Sequence, residues 1–237
     1  MLDCGSTSNE AIDFLNKNKI KSIIIDHHEI NRPYPNSKII INPKKNNGYK
    51  NYDYFCTTSL TYFFLDVLLK KINSNFKLSK FLIYVLIATV CDVMPLRKIN
   101  KIIATNVLKN FDINKNMIFN ILFQLLNIKK KLSIDDLGYL IGPIINSGGR
   151  LNHSNYSIDL LTSTNSTIIK KRAIKLIELN NTRKKLEYNI LNKINFKKIK
   201  KKNKNVIIYY QKNIHEGLIG IIASRLKDYF NKPSIVI

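Results

Sequence analysis

Cysteine is scarce in this chain. Cys4, Cys56 and Cys91 are the three cysteines, and no two of them have CxxC spacing. An odd set without such a pair argues against a zinc knuckle and against a disulfide framework. We therefore expect a reducing, cytoplasmic compartment.

Long uncharged apolar runs are absent as well, and the first residues contain Asp3 instead of a basic segment. These absences argue against a membrane span and a signal peptide. The 237 residues, 45% of them hydrophobic, suffice for one large domain or two smaller ones. The composition thus predicts a globular protein without membrane association.

Acidic residues are few: 16 Asp and Glu stand against 39 Lys and Arg, a net charge of +23. Such an excess predicts salt-dependent attraction to polyanions. The Lys residues are spread among Asn and Ile along the whole chain, a bias that AT-rich coding sequence also produces. Charge alone therefore does not identify nucleic acid as the partner.

The stretch 22–29 brings an acid and two imidazoles to the end of an apolar run. Ile23 to Ile25 predict a buried strand, followed by Asp26, His27 and His28. Neighbouring side chains of an extended strand point to opposite faces, so all three can ligate one ion only if the chain turns there. We interpret these residues as having different roles: one His contacts a metal or phosphate, and its neighbours orient or shield that His. The alternative is a solvated strand end with an incidental His pair.

Hydrophobic patterning predicts an α/β fold with a parallel sheet, a mainly helical second half and a second small α/β domain. A helix near 11–15 between two strand ends forms a parallel crossover unit, which places Asp3 and His27 at the same edge of the sheet. Further helices are predicted at 60–69, 81–90, 102–108, 117–126, 167–193 and 221–229, and further strands at 39–41, 206–210 and 234–237. The basic run 197–204 is the candidate domain boundary.

Two other stretches carry chemistry. Asp92 is a lone acid in apolar company, and a buried carboxylate without a partner is costly, so we expect it to be paired, to cap a helix or to bind a metal. Gly148 and Gly149 precede Arg150. Paired glycines let backbone N–H groups approach an anion, and a guanidinium can fork onto phosphate oxygens. This pattern alone is usually a turn, whereas together with the acid and His cluster it suggests phosphate binding.

In this order, the motifs resemble those of the DHH phosphoesterase superfamily, and within it those of the RecJ family of single-strand-specific exonucleases. They extend over nearly the whole chain and comprise Asp3-Cys4-Gly5, Asp26-His27-His28, Asn42-Pro43, the stretches 89–96 and 142–151, and His215-Glu216-Gly217 with Ser224-Arg225.

The resemblance implies a pair of Mn²⁺ or Mg²⁺ ions, with Asp3 bridging both and His27 and Asp92 as ligands of one. It implies catalytic contacts to the scissile phosphate from His28 and to phosphate from Arg150. Carboxylate and imidazole ligands suit these ions, and a metal pair can assist an in-line displacement. Phosphate or nucleic-acid binding is implied for Asn146, Gly148, Gly149, Arg150, His215 and Arg225.

The resemblance also implies three segments: a DHH domain at 1–165, a connecting helix with a basic linker at 166–204, and the start of a DHH-associated domain at 205–237. The Asp-x-Asp motif that precedes the bridging acid in this family has no counterpart here. The glycine- and serine-rich segment of the associated domain has none either. We therefore expect a chain truncated at both ends, with an incomplete two-metal site.

The function so implied is metal-dependent 5′-to-3′ hydrolysis of single-stranded DNA in repair and recombination, by a cytoplasmic monomer. One alternative is a small DHH phosphodiesterase acting on oligonucleotides or cyclic dinucleotides, although its typical Gly-Gly-Gly-His motif is not seen. The other is a non-catalytic nucleic-acid-binding remnant, which the lost first motif and the basic composition favour.

Overall fold

The computed structural model describes residues 1–45, 51–151, 154–197, 199 and 205–237. They form two compact units, one of residues 1–111 with 132–138 and one of residues 112–131 with 139–237. Each unit combines helices with a two-stranded parallel sheet. The predicted α/β class is therefore confirmed, with helices predominating.

The parallel strands of the first unit lie close to its N-terminus. Strand β1 (Ile23–Ile25) pairs in parallel with β2 (Ile39–Ile41), with Ile24 opposite Ile40. On the other side of β1, Leu2 forms a bridge with Ile25, and the Asp3 N–H donates to the Ile25 carbonyl at 3.0 Å. Helix α1 (Asn9–Lys17) connects these two segments. The predicted crossover is thus confirmed.

Three longer helices complete the first unit. They are α2 (Thr57–Lys71), α3 (Leu82–Cys91), which follows a 3₁₀ turn at Leu78–Phe81, and α4 (Lys98–Asn110). Helix α2 packs against β1 and α3, and α3 packs against α4. Ile24 of the sheet and Leu86 of α3 are fully buried. As predicted, α3 is an apolar, buried helix, and Asp92 lies at its C-terminal end.

The second unit is organised around one long helix. Its elements are a 3₁₀ turn at Ile113–Lys115, α5 (Met117–Leu125), α6 (Gly142–Leu151), α7 (Asn155–Thr162), α8 (Ser166–Lys193), β3 (Ile207–Tyr209), α9 (Glu216–Phe230) and β4 (Ser234–Val236). Helix α8 packs against α5, α6, α7 and α9, and β3 pairs in parallel with β4. A π-helical segment, Asp136–Ile141, precedes α6.

Helix α8 has 28 residues and matches its predicted span. It begins after Asn165, whose side-chain oxygen accepts hydrogen bonds from the N–H groups of Thr167 and Ile168. Ile169, Ala173 and Leu176 are buried at helical spacing, so one face of α8 is a core face. Further along, Ile190 joins an apolar cluster with residues of β3, α9 and β4.

Two stretches outside the predicted helices are helical. The stretch 215–220 opens α9, with His215 as the N-cap. The stretch with the paired glycines is helix α6. Inside a helix the N–H groups of Gly148 and Gly149 donate to carbonyls four residues earlier, so they are not free donors for an anion, and phosphate binding at this stretch stays a prediction. Packing explains the difference: Ser147 is fully buried, and its hydroxyl donates to the Leu176 carbonyl of α8 at 2.9 Å.

The segments 1–165, 166–204 and 205–237 are predicted from motifs, whereas the two compact units are defined by contacts within the fold. The three segments therefore stay a prediction. Most of the basic run 197–204 lies outside the described residues, namely 198 and 200–204. Within the described parts of the chain, no helix combines the length and apolarity needed to cross a bilayer.

Candidate metal centre and phosphate-binding groups

Three predicted site residues converge at one edge of the first unit's sheet. Ligand atoms of Asp3, His27 and His28 all lie within 4.8 Å of one another. The His27 Nε2 is 3.5 Å from the Asp3 Oδ1, and the side chains of Asp3 and His28 are both 59% exposed. One carboxylate and two imidazoles at this spacing fit a single divalent cation, and nitrogen and oxygen donors suit Mn²⁺.

Asp26 makes the turn that brings the two imidazoles together. Its Oδ1 accepts the N–H groups of His27 at 2.8 Å and His28 at 3.2 Å, and its Oδ2 accepts the Ser6 N–H at 3.2 Å. The chain therefore leaves its extended course directly after β1. The two imidazole rings end up edge to face, with centroids 4.6 Å apart. Asp26 itself is 1% exposed and is occupied by these contacts.

The same carboxylate orients His28. The His28 Nδ1 lies 2.7 Å from the Asp26 Oδ1, so Nδ1 carries the proton and Nε2 faces away from this contact. Burial alone would raise the pKa of Asp26, but hydrogen bonds from Ser6 and His28 outweigh it and hold the pKa at about 2. The hydrogen bond to Asp26 raises the pKa of His28, and the charges of Asp26, Asp3 and Asp92 add to this against a partial effect of burial. The pKa of His28 is therefore higher than that of an ordinary imidazole.

Asn42 ties the end of β2 to the same turn. Its Nδ2 donates to the Ser6 hydroxyl at 2.8 Å and to the His28 carbonyl at 3.0 Å, and its Oδ1 accepts the Lys44 N–H at 2.8 Å. The residue is 5% exposed. Asn42 thus joins the end of β2 to the Ser6 side chain and to the backbone at His28, which belongs to the candidate metal centre.

Asp92 lies near this cluster but is not the buried lone acid that the sequence suggested. The residue is exposed and follows the last turn of α3. Partial desolvation of its carboxyl raises its pKa, as does the charge of Asp3, whereas the charges of His27 and His28 lower it. The next residue, Val93, has left-handed backbone geometry with φ 54°.

Cys91 is also close, but its chemistry does not suit the site. Burial raises the pKa of its thiol to about 11, with further contributions from Asp92 and Cys56. The group is therefore a neutral thiol at pH 7, whereas metal ligation requires a thiolate. The donors available for a cation are the carboxylates and the imidazoles.

In the second unit, Arg150 and His215 are brought together through Gly217. The Arg150 Nη1 lies 3.3 Å from the Gly217 carbonyl, and the Gly217 N–H donates to the His215 Nδ1 at 3.1 Å. A Cβ on Gly217 would overlap the Arg150 carbonyl oxygen, so only glycine permits this approach. Because Nδ1 of His215 accepts, a neutral ring carries its proton on Nε2.

The other predicted phosphate-binding residues are on α6 and α9. Asn146 and Arg150 lie four residues apart on α6 and are both exposed, which places them on one face. Gly149 is exposed, whereas Gly148 is buried. Arg225 is exposed on α9, and its Nε donates to Glu187 at 2.8 Å.

Sequence reasoning gave no role to Glu187 or Gly217, and it placed Asp26 and Asn42 in motifs without assigning their contacts. Glu187 had a local signal, because it stands four residues after Arg183 in a helix rich in Lys, the spacing of a helical ion pair. Gly217 had no local signal, because the backbone atoms that leave room only for glycine at this position belong to Arg150, 67 residues earlier in the chain.

The comparisons with known proteins agree with the motifs. The family model described as "DHH family, N-terminal domain" matches residues 1–89. A single-stranded-DNA-specific exonuclease RecJ of Haemophilus influenzae is 28% identical over 251 residues, which cover 99% of this chain and 43% of that protein. The RecJ of Bacillus subtilis is 26% identical over 226 residues, covering 91% of this chain and 27% of that protein.

The fold also has solved counterparts. RecJ of Thermus thermophilus in complex with Mn²⁺ superimposes with a TM-score of 0.87 at 20% identity, covering all of this chain and 35% of that one. A manganese-bound exonuclease RecJ gives a TM-score of 0.85 at 20% identity, covering all of this chain and 59% of that one. The chain spans less than half the length of the curated relatives described above. The resemblance to the DHH superfamily and to RecJ is thereby confirmed.

Proposed function

We propose that this chain is the part of a RecJ-like, DHH-family exonuclease that hydrolyses single-stranded DNA from the 5′ end, with a divalent metal. The observation that carries the proposal is the convergence of Asp3, His27 and His28 within 4.8 Å at the sheet edge. The names of the relatives support the substrate, since they are described as single-stranded-DNA-specific exonucleases. We further propose a cytoplasmic monomer that acts in DNA repair and recombination.

The proposed metal is Mn²⁺ or Mg²⁺, which Asp3, His27 and Asp92 would hold, and Asp3 would be the ligand common to a pair of ions. RecJ structures with each of these ions resemble this chain. A bound pair of such ions supplies an activated water and stabilises the charge on the oxygens of an in-line displacement.

The chain's own groups bind and orient the phosphate. Asp26 holds the proton on the His28 Nδ1 and so orients the ring, and His28 contacts the scissile phosphate through the edge that carries Nε2. The guanidinium of Arg150 binds phosphate oxygens, and the His215 Nε2–H and Arg225 contact the nucleic-acid backbone. Asn146 donates from the same face of α6 as Arg150, and Gly148 and Gly149 act as small residues on this helix rather than as free N–H donors.

Release of labelled mononucleotides tests the proposal. With Mn²⁺, we expect release from 5′-labelled single-stranded DNA, no release in EDTA, and loss of activity in Asp92→Ala. Asp66→Ala is the matched control, because Asp66 is an acid of α2 paired with Lys70, and this variant should keep the activity. Faster cleavage of dinucleotides than of long strands would favour the small phosphodiesterase.

A non-catalytic nucleic-acid-binding role is the second candidate, and the net charge of +23 favours it. Salt-dependent binding of single-stranded DNA by the wild-type chain, without cleavage in Mn²⁺, would support this role over the exonuclease.

A further inference from the structure

Arg225 is an exposed side chain that Glu187 holds at one nitrogen of the guanidinium. Its Nε donates to the Glu187 Oε1 at 2.8 Å, while 60% of the side chain is exposed. Arginine has five N–H donors in a planar fork. Among the described residues no other hydrogen bond to this guanidinium is found, so its terminal nitrogens remain available for a ligand.

Glu187 is in turn held from behind. It is only 10% exposed, and its Oε2 accepts from the Arg183 Nη1 at 2.9 Å. Arg183 is 12% exposed, and its Nε donates to the Oδ1 of Asn180, which is 3% exposed. A chain of hydrogen bonds thus runs along α8 from a buried amide to the exposed guanidinium on α9.

This arrangement has opposite effects on anion binding through charge and through geometry. The negative charge of Glu187 lies beside Arg225 and weakens its attraction for a phosphate. On the other hand, fixing Nε removes rotamer freedom before binding and leaves both terminal nitrogens in the fork that matches two phosphate oxygens. Charge alone predicts that removing the acid strengthens binding, and geometry predicts that it weakens binding.

We propose that Glu187 is a positioning residue that presents the Arg225 guanidinium to a phosphate of single-stranded nucleic acid. The inference rests on the proposed function for the role of Arg225 and adds to it a buried support on α8. Asn180 and Arg183 contribute by fixing the carboxylate of Glu187.

Binding of a fluorescent oligothymidylate in EDTA provides the first test, with Glu187→Gln compared against Glu178→Gln. Glu178 is on the same helix, is 62% exposed and has Lys175 at 3.9 Å, so both variants lose one negative charge. We expect Glu187→Gln to bind about fivefold more weakly, the scale of one ordinary net hydrogen bond. Glu178→Gln should bind as tightly as wild type or slightly more tightly.

Variants of Arg225 separate geometry from charge. Arg225→Gln should weaken binding by a similar factor and lower the salt slope by about 0.7, the value for one phosphate of a single strand. Glu187→Gln should then have no further effect in the Arg225→Gln background. Arg225→Lys keeps the charge but not the fork, and it should not restore binding. The thermal unfolding curve of each variant shows whether it is folded. If Glu187→Gln folds poorly, Arg225→Lys still tests whether the guanidinium fork is needed for binding.

The NMR signal of the Arg225 Nε–H reports positioning without DNA. We expect a resolved signal protected from exchange in the wild type and in Glu178→Gln, and an averaged one in Glu187→Gln. An averaged signal in the wild type, tighter DNA binding by Glu187→Gln, or full binding by Arg225→Lys would overturn the inference. A wild-type chain that binds no single-stranded DNA counts against the proposed function, and the Nε–H signal still decides whether Glu187 holds Arg225.

Discussion

Asp26 illustrates at the scale of one residue how a buried acid can shape a site without binding the ligand. Its two oxygens accept three backbone N–H groups and face the His28 ring. Charge-assisted hydrogen bonds of this kind compensate for the loss of water around a carboxylate. Asp26 therefore stabilises the turn and orients His28, which leaves ligation to Asp3, His27 and Asp92 in the proposed site.

Replacing Asp26 with Asn should destabilise the first unit in a pH-dependent way. The folded-state pKa of about 2 lies below the ordinary 3.8, so ionised Asp26 contributes stability above pH 4 that is lost as the pH falls towards 2. This pKa difference corresponds to about 2 kcal/mol of unfolding free energy at pH 7, and roughly 1 kcal/mol of that contribution is lost by pH 3. Urea unfolding at pH 7 and pH 3 measures it.

Asp13→Asn is the control for this prediction, because Asp13 is exposed on α1. Its unfolding free energy should stay within about 0.5 kcal/mol of the wild type. Equal stability of Asp26→Asn and wild type at pH 7 would contradict the account of the turn.

Val93, which follows Asp92, has a strained backbone conformation. It has φ 54° and is 86% exposed, so a β-branched residue occupies a left-handed position while making few contacts. Val93→Gly should raise the unfolding free energy by about 1 kcal/mol, because glycine adopts this geometry without the Cβ clash. Chemical denaturation measures the change.

Asn127 provides the matched comparison, since it follows α5 with φ 53°. Asparagine tolerates the left-handed region, so Asn127→Gly should gain less than Val93→Gly. A loss of stability in Val93→Gly would show that the valine side chain is more important than its backbone strain.

At the scale of elements, the start of α9 depends on a close contact with the end of α6. Gly217 lies in the first turn of α9, and its carbonyl accepts from Arg150 in the last turn of α6. A longer side chain at position 217 would push the two helix ends apart. The contact therefore holds the proposed phosphate-binding groups Arg150 and His215 in one place.

Gly217→Ala should break this contact. We expect a loss of about 1–3 kcal/mol in unfolding free energy from overpacking against backbone atoms, together with weaker binding of single-stranded DNA. Gly220→Ala on the same helix is the control, because a Cβ at position 220 would meet no atom within 4 Å. Replacing a helical glycine with alanine should raise the unfolding free energy by up to about 1 kcal/mol. Similar effects of the two substitutions would contradict the role of Gly217.

Local signals explain which elements could be predicted from the sequence. The Ile runs of β1 and β2 and the periodicity of α8 are properties of short windows, and these elements are present. Helix α6 could not be predicted in this way, because its glycines disfavour a helix and contacts such as the one between Ser147 and Leu176 stabilise it. The strand–helix–strand crossover predicted the meeting of Asp3 and His27 at one sheet edge, whereas the link from Glu187 to Arg225 joins residues 38 positions apart.

At the scale of the whole molecule, each compact unit carries a different part of the proposed chemistry. The first contains Asp3, His27, His28 and Asp92, and the second contains Arg150, His215 and Arg225. Binding through cationic groups and cleavage through a metal are separate physical processes. Loss of the second unit's cationic groups should therefore weaken DNA binding without changing metal affinity, and loss of a metal ligand should stop cleavage without weakening DNA binding.

The salt dependence of DNA binding tests this separation. If Arg150 and Arg225 each neutralise one phosphate, replacing both with Gln should lower the slope of log K against log salt by about 1.4, at about 0.7 per phosphate. Calorimetric titration with Mn²⁺ should show unchanged metal affinity. In EDTA, the wild type and Asp92→Ala should bind DNA with equal slopes, because removing the metal stops cleavage only.

Lys101→Gln with Lys109→Gln is the charge-matched control. Both lysines are exposed on α4 of the first unit, and their loss lowers the net charge by as much as the double arginine replacement. Discrete phosphate contacts predict that the slope of this control stays near that of the wild type. An equal fall in both double variants would mean that DNA is attracted by the excess of 39 basic over 16 acidic residues as a whole, and the proposed contacts of Arg150 and Arg225 would have to be abandoned.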